Sequence, residues 1–335
     1  MGVDVRDPAL APATRNAGTA CPPPANVRAV VRVGSEFLMR GIDSMIKSQG
    51  DDLIAALIFT AIWTTNVRHI TQSPANIEFG GPNDIPPDAQ RRPVSVQAVA
   101  NQLGIPYETV RRYVQKMIKA GDCIRVGKHG LIVPAAVFAR PQHQKALQES
   151  LPSLLRFLAD LKRAEFDFAP YRQPHANTVS LPAWGVLPEN ARALLRAGID
   201  LVTNGTATIA SLHDGDFLMS LIHTAIWTAN VRHITASGDN VKFGGLAELP
   251  PDEARRPVTI NAIASGMRLP YETARRYVTR LVQSGGAQRI AGKGVIIPRE
   301  SMMRPEYYAA VSRSYDDIQR TVADLYRAGF DFRGY

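Results

Sequence analysis

"IPYETVRRYV" at residues 105–114 returns almost unchanged as "LPYETARRYV" at residues 269–278. Extended to about Tyr107–Ala120, the first stretch puts Val110, Val114, Met117 and Ile118 on one side of a helix. Glu108, Arg111, Arg112, Gln115 and Lys119 fall on the other side. The second stretch divides in the same way, with Ala274, Val278, Leu281 and Val282 against Glu272, Arg275, Arg276, Thr279 and Gln283. A helix with one apolar and one basic face covers a core with the first and offers the second to solvent or to a partner.

Just upstream, "VSVQAVANQLGIP" spaces Val96, Val99, Ala100 and Leu103 as one face of a short helix. Ser95 is its expected N-cap, and Gly104 suits the left-handed position that ends it. Two short helices around a glycine turn predict a helix-turn-helix. Downstream, "GDCIRVGKHGLIVP" and its partner "GGAQRIAGKGVIIP" read as hairpins. Ile124, Val126, Leu131 and Val133 are on the strands of the first, with Arg125, Lys128 and His129 towards its tip; Arg289 and Lys293 sit at the second.

The repetition extends well beyond these stretches. Ile62-Trp63 recurs as Ile226-Trp227, Arg91-Arg92-Pro93 as Arg255-Arg256-Pro257, and Tyr171 as Tyr335, at a constant offset of 164 residues. The 335-residue chain is thus a duplicated unit. It divides into an Ala/Pro-rich arm expected to be disordered over 1–27, a first repeat over 28–170, a linker over 171–190 and a second repeat over 191–335. Helices are expected over 28–47 and 51–71. A C-terminal helix follows in each copy, with apolar stripes at Leu147, Leu151, Leu154, Leu158 and Leu161 and at Val311, Tyr315, Ile318, Val322 and Leu325. The stripes require a partner helix, which the sequence leaves open: the same copy, the other copy or a second chain.

The stretch from Ile105 to Pro134 resembles the winged helix-turn-helix of bacterial regulators of the Crp/Fnr and MarR groups. The closest echo is the Crp-type recognition helix, written Arg-Glu-Thr-Val-x-Arg. The resemblance covers about 40 residues per copy. It implies a mainly α protein: two tandem winged helix-turn-helix domains with extra flanking helices and small β-hairpin wings. It also implies that Glu108, Arg112, Glu272 and Arg276 read bases and that Thr109 and Thr273 contact phosphate. Tyr107 and Tyr271 replace the first arginine of the pattern, so a different base sequence would be read. Arg268 replaces the turn glycine in the second copy.

Charge supports a polyanionic partner. Residues 91–128 hold eight Lys and Arg against two acids, and 255–293 hold eight against one. Together these windows exceed the +9 of the whole chain, so the remainder is slightly acidic. The expected DNA contacts therefore also include Arg91, Arg92, Arg125, Lys128, Arg255, Arg256, Arg289 and Lys293. The expected partner is double-stranded DNA, bound as a sequence-specific transcriptional regulator in the cytoplasm, at the nucleoid. Two alternatives stand beside it: a plasmid-type replication initiator, and a chromosome-architecture protein whose tandem winged helices bind protein.

Against catalysis, no Gly-rich phosphate loop, HExxH or GxSxG occurs, and the seven histidines are scattered. The two cysteines, Cys21 and Cys123, have neither disulfide nor zinc spacing. No cofactor or metal is expected, and any small-molecule effector is unknown. The longest apolar run, Leu53–Trp63, is about half the ~20 residues of a membrane span, so no membrane is expected. "NVRHIT" recurs intact after each Ile-Trp pair. It allows two readings: a ligand pocket of Trp63, Asn66, Arg68 and His69, or a core tryptophan followed by a polar helix end. The C-terminal stripes could pair the two copies within a chain or hold two chains in a homodimer.

Overall fold

The computed structural model describes residues 24–73, 75–128, 130–173, 178–180 and 186–335. It is mainly helical, with two small antiparallel sheets. The first copy contains α1 (Val27–Ser48), α2 (Leu53–Thr71), α3 (Ala75–Glu78), β1 (Val94–Ser95), α4 (Val96–Leu103), α5 (Tyr107–Ala120), β2 (Ile124–Val126), β3 (Gly130–Ile132) and α6 (Pro141–Arg163). The second contains α7 (Ala191–Ala210), α8 (Phe217–Thr235), α9 (Asp239–Lys242), α10 (Ile260–Gly266), α11 (Tyr271–Gln283), β4 (Gln288–Ile290), β5 (Gly294–Ile296) and α12 (Pro305–Arg327).

The helix ends have local causes. The Asp52 carboxylate caps α2 by accepting from Ala55 N, and Ser95 caps α4 by accepting from Ala98 N. Gly104 ends α4 at φ 60°, which lets the chain reverse into α5. The first hairpin gains a third strand that the sequence did not announce: β1 pairs with β3 through Val94 and Leu131. In the second copy a single bridge, Val258 to Val295, takes its place. Leu131, Ile132 and Val133 are buried under the first hairpin, whereas Ile124 and Val126 on the edge strand β2 are each 39% exposed.

The two copies are interlocked. α1 packs on α6 of its own copy and on α12 and α8 of the other; α7 packs reciprocally on α12, α6 and α2. One contiguous core includes Phe37, Ile58 and Leu158 from the first copy and Leu201, Ile222 and Val322 from the second. The C-terminal stripes are therefore covered within the chain. Leu147, Leu154, Leu158 and Leu161 are buried, as are Val311, Tyr315, Ile318, Val322 and Leu325. Leu151, the remaining member of the first stripe, is half-buried. Beyond the stripes, Phe168 stacks on Phe332 at 5.5 Å between centroids.

Buried arginines lock the exchange. Arg32 Nε donates to Asn240 Oδ1 (2.8 Å), and its Nη2 donates to the carbonyls of Asn240 and Phe243 (both 2.7 Å). Arg196, its counterpart, donates to Asn76 Oδ1, Asn76 O and Phe79 O at 2.7, 2.8 and 2.7 Å. Burial pulls Arg32 down to about 9 and Arg196 to about 10. Both remain charged at neutral pH, and the carbonyls replace the lost water.

Of the arm expected over 1–27, residues 1–23 lie outside the described residues. Val27 already belongs to the core, and Asn26 Nδ2 donates to Ala164 O at 3.0 Å. Of the linker expected over 171–190, residues 174–177 and 181–185 lie outside the description; Val179 bridges Phe330 in parallel. Among the described residues one helix, α2, has the length and apolar composition of a membrane span. That window is 61% buried inside the protein, as befits a core helix.

Candidate nucleic-acid interface

α5 and α11 present the same surface twice. Each buries one face on its own copy: Val110, Val114 and Met117, and Ala274, Val278 and Leu281. The opposite face is left to solvent. Tyr107 and Tyr271 stand exposed at the two N-termini, 42% and 49% accessible. Glu108 and Arg111 form an ion pair at 2.8 Å, and Glu272 and Arg275 repeat it at 2.8 Å. Arg112, Gln115 and Lys119 are exposed on α5, as are Arg275 and Arg276 on α11. Thr109, Thr273 and Thr279 are half-buried. A shallow groove follows α11 between Glu272, Arg276 and Gln283.

The hairpins add cations beside these helices. Arg125 and Lys128 are exposed, as are Arg289 and Lys293. Arg289 Nη2 donates to Thr279 Oγ1 at 3.3 Å, which ties the second hairpin to the exposed side of α11. His129 lies outside the described residues. Arg92 and Arg256 are exposed at the entry to β1 and its counterpart.

Arg91 and Arg255 require correction. Both are 4% exposed. Arg91 Nη2 donates to Pro86 O at 2.9 Å, its Nε lies 3.4 Å from Asp88, and its guanidinium sits 5.3 Å from the Phe138 ring centre. Arg255 donates to Pro250 O at 3.0 Å and to Asp252 at 3.1 Å. Neither can reach a phosphate. Asp88 also accepts from Ala135 N at 2.7 Å, so this cluster holds the exit of the hairpin. The signal was present in "PPDAQRRP" and "PPDEARRP", where an acid stands three residues before the first arginine.

The repeated "NVRHIT" resolves into structure. Asn66 is fully buried; its Nδ2 donates to Arg92 O (2.8 Å) and Leu131 O (3.0 Å), and its Oδ1 accepts from Val133 N (3.0 Å). Asn230 makes the same three bonds to Arg256 O, Val295 O and Ile297 N. One amide thus pins the hairpin to the loop that leads into it. Arg68 is exposed and Asn66 is occupied by backbone groups, so the four do not converge on one pocket; Trp63 borders a cavity, described below. Cys123 is buried and its thiol is pushed up to about 11 by burial, which makes it an inert core filler; Cys21 lies outside the described residues.

No protein-family model matches this chain, and searches of curated proteins and of solved structures return no match.

Proposed function

We propose that the α4–turn–α5–hairpin unit and its counterpart are winged helix-turn-helix modules, and that the protein is a sequence-specific double-stranded DNA-binding transcriptional regulator. The observation that carries this reading is the duplicated exposed face. In both copies the side of α5 or α11 away from the core, together with its hairpin, is basic and free of burial demands. With Arg91 and Arg255 removed, seven cations remain in each window of residues, still well above the acids. On the resemblance to Crp- and MarR-type helices, Arg112 and Arg276 read base edges, and Glu108 and Glu272 do so by exchanging their arginine partners for a base. Arg92, Arg125, Lys128, Arg256, Arg289 and Lys293 neutralise phosphates.

Genome-wide mapping of binding sites, followed by fluorescence anisotropy on the recovered sites, tests the reading. Arg112→Ala should weaken the best site by about 1–3 kcal/mol and relax preference at one base pair. Arg125→Ala should weaken all duplexes about equally. Affinity should fall on the order of 10³-fold between 50 and 200 mM salt if about 6–10 phosphates are contacted. A salt-independent affinity, or an Arg112→Ala variant with unchanged preference, overturns the proposal. A single peak at an origin would favour a replication initiator.

A further inference from the structure

A cavity of about 310 Å³ lies between the copies, bordered by α1, α2 and α6 of the first and by α7 of the second. Four aromatic residues, Phe37, Phe59, Trp63 and Phe138, line it beside Met45 and Leu151, and polar side chains, among them Asp43, Lys47 and Glu149, line it as well. The size falls at the lower end of small-molecule sites, at roughly 300–1,000 Å³. His143 lies on the wall, stacked on Phe59 at 5.3 Å, and burial pulls it down to about 4, so it is neutral at physiological pH.

The corresponding place in the second copy is filled by its own side chains. Tyr307 stands where the first copy has His143, His223 where it has Phe59, and Tyr315 where it has Leu151. All three are buried, and Tyr307 Oη lies 3.2 Å from His223 Nε2. The first copy lacks this filling and keeps a polar feature instead. Arg40 borders the cavity, and its Nη2 is buried without a hydrogen-bond partner. Its nearest acid, Glu36, stands 3.7 Å from Nη1. The charge therefore has a partner, while Nη2 and Glu36 Oε1 are both buried without one, so the guanidinium meets a ligand oxygen by turning towards the cavity. A buried N–H in that state gains most from an acceptor oxygen.

We infer that this cavity binds a small, uncharged, flat aromatic molecule carrying an acceptor oxygen, such as an aryl ketone, with the ring among Phe37, Phe59, Trp63 and Phe138 and the oxygen on Arg40. The inference is independent of DNA binding. Its test uses the full chain with 2-acetylnaphthalene and, as the isosteric hydrocarbon, 2-ethylnaphthalene, followed by Trp fluorescence and by calorimetry. The ketone should bind one molecule per chain, change the fluorescence, and bind about tenfold or more tightly than the hydrocarbon. Arg40→Gln should close that gap. His143→Tyr combined with Leu151→Tyr, the second copy's own residues, should abolish binding of both compounds. Ser150→Phe from the α6 wall serves the same purpose, and circular dichroism selects the filled variant that folds. No binding to the unaltered chain, equal affinity for the two compounds, or unchanged binding to a folded filled variant overturns the inference.

Discussion

Gly104 and Arg268 occupy the same turn in the two copies and hold the same left-handed backbone, at φ 60° and 52°. Their surroundings differ. A side chain at Gly104 would run into the carbonyl of Gly215, in the loop before α8 of the other copy. Arg268 instead carries its side chain past the equivalent loop of the first copy, with Nε 3.5 Å from Asp51 Oδ1. A duplicated fold thus does not duplicate its tolerances. The same dihedral is enforced by close packing on one side and borne as strain on the other.

The largest effect should come from breaking the tighter turn. Gly104→Ala places a Cβ against the Gly215 carbonyl, which is main chain and not the end of a flexible side chain, and should cost about 3–5 kcal/mol, read by chemical denaturation. A loss below 1 kcal/mol would mean that the loop yields. Asn66→Ala and Asn230→Ala probe where the copies agree. Each removes one amide from two buried backbone groups and one part-buried one, so both should cost about 3 kcal/mol. A clear inequality between them would show that the third strand of the first hairpin shares the burden.

Acid should weaken the fold by a smaller amount. Burial pulls His223 from 6.5 down to about 3 and His143 to about 4. The unfolded chain therefore takes protons that the folded chain refuses. The stability these histidines contribute is complete above pH 6.5 and is lost as pH falls from 6.5 towards 4 and 3. Asp200 opposes this between about 3.8 and 6, because burial raises it to about 6. Burial also pulls His213 down and pushes Glu36 and Asp317 up, two smaller carboxyl shifts against one smaller histidine shift. The two large histidine shifts still outweigh Asp200, so stability should fall by on the order of 2 kcal/mol across pH 6.5 to 4, read as a lower melting temperature. His223→Phe, which installs the first copy's residue, should flatten that fall in thermal scans. The smallest expected change is a gain. Arg268→Gly relieves the left-handed strain and should stabilise by about 0.5–1 kcal/mol, measured as a higher denaturation midpoint.

Much of each copy could be read from the chain because its signals are local. Ser95 and Gly104 bracket α4, and the alternation of Val110 and Val114 with Arg111, Arg112 and Gln115 sets the faces of α5. The interlock could not be read from the apolar stripes, because a stripe of leucines names a face and not its partner. Arg32 and Arg196 carried a hint, as arginines inside apolar helix starts, but no sequence pattern reveals that a carbonyl cluster 208 residues away receives one of them. Arg91 and Arg92 show the same limit at the candidate site. They are adjacent and chemically identical, yet one is buried against Phe138 and the other faces solvent. The cavity was invisible for a related reason: it depends on His143 and Leu151 being smaller than Tyr307 and Tyr315, which matters only once the helices are in contact.

The reciprocal arginine anchors have a consequence for inheritance. When a twofold protein is assembled from two identical chains, every mutation is made in both halves at once, and a harmful change on one side forbids a useful change on the other. Here Arg32 and Arg196 join halves that are written separately in one gene. Each half can therefore drift alone while its neighbour keeps the assembly intact. One half could fill its interior with tyrosine and the other could stay open, without a second gene and without any need to sort mixed assemblies from uniform ones.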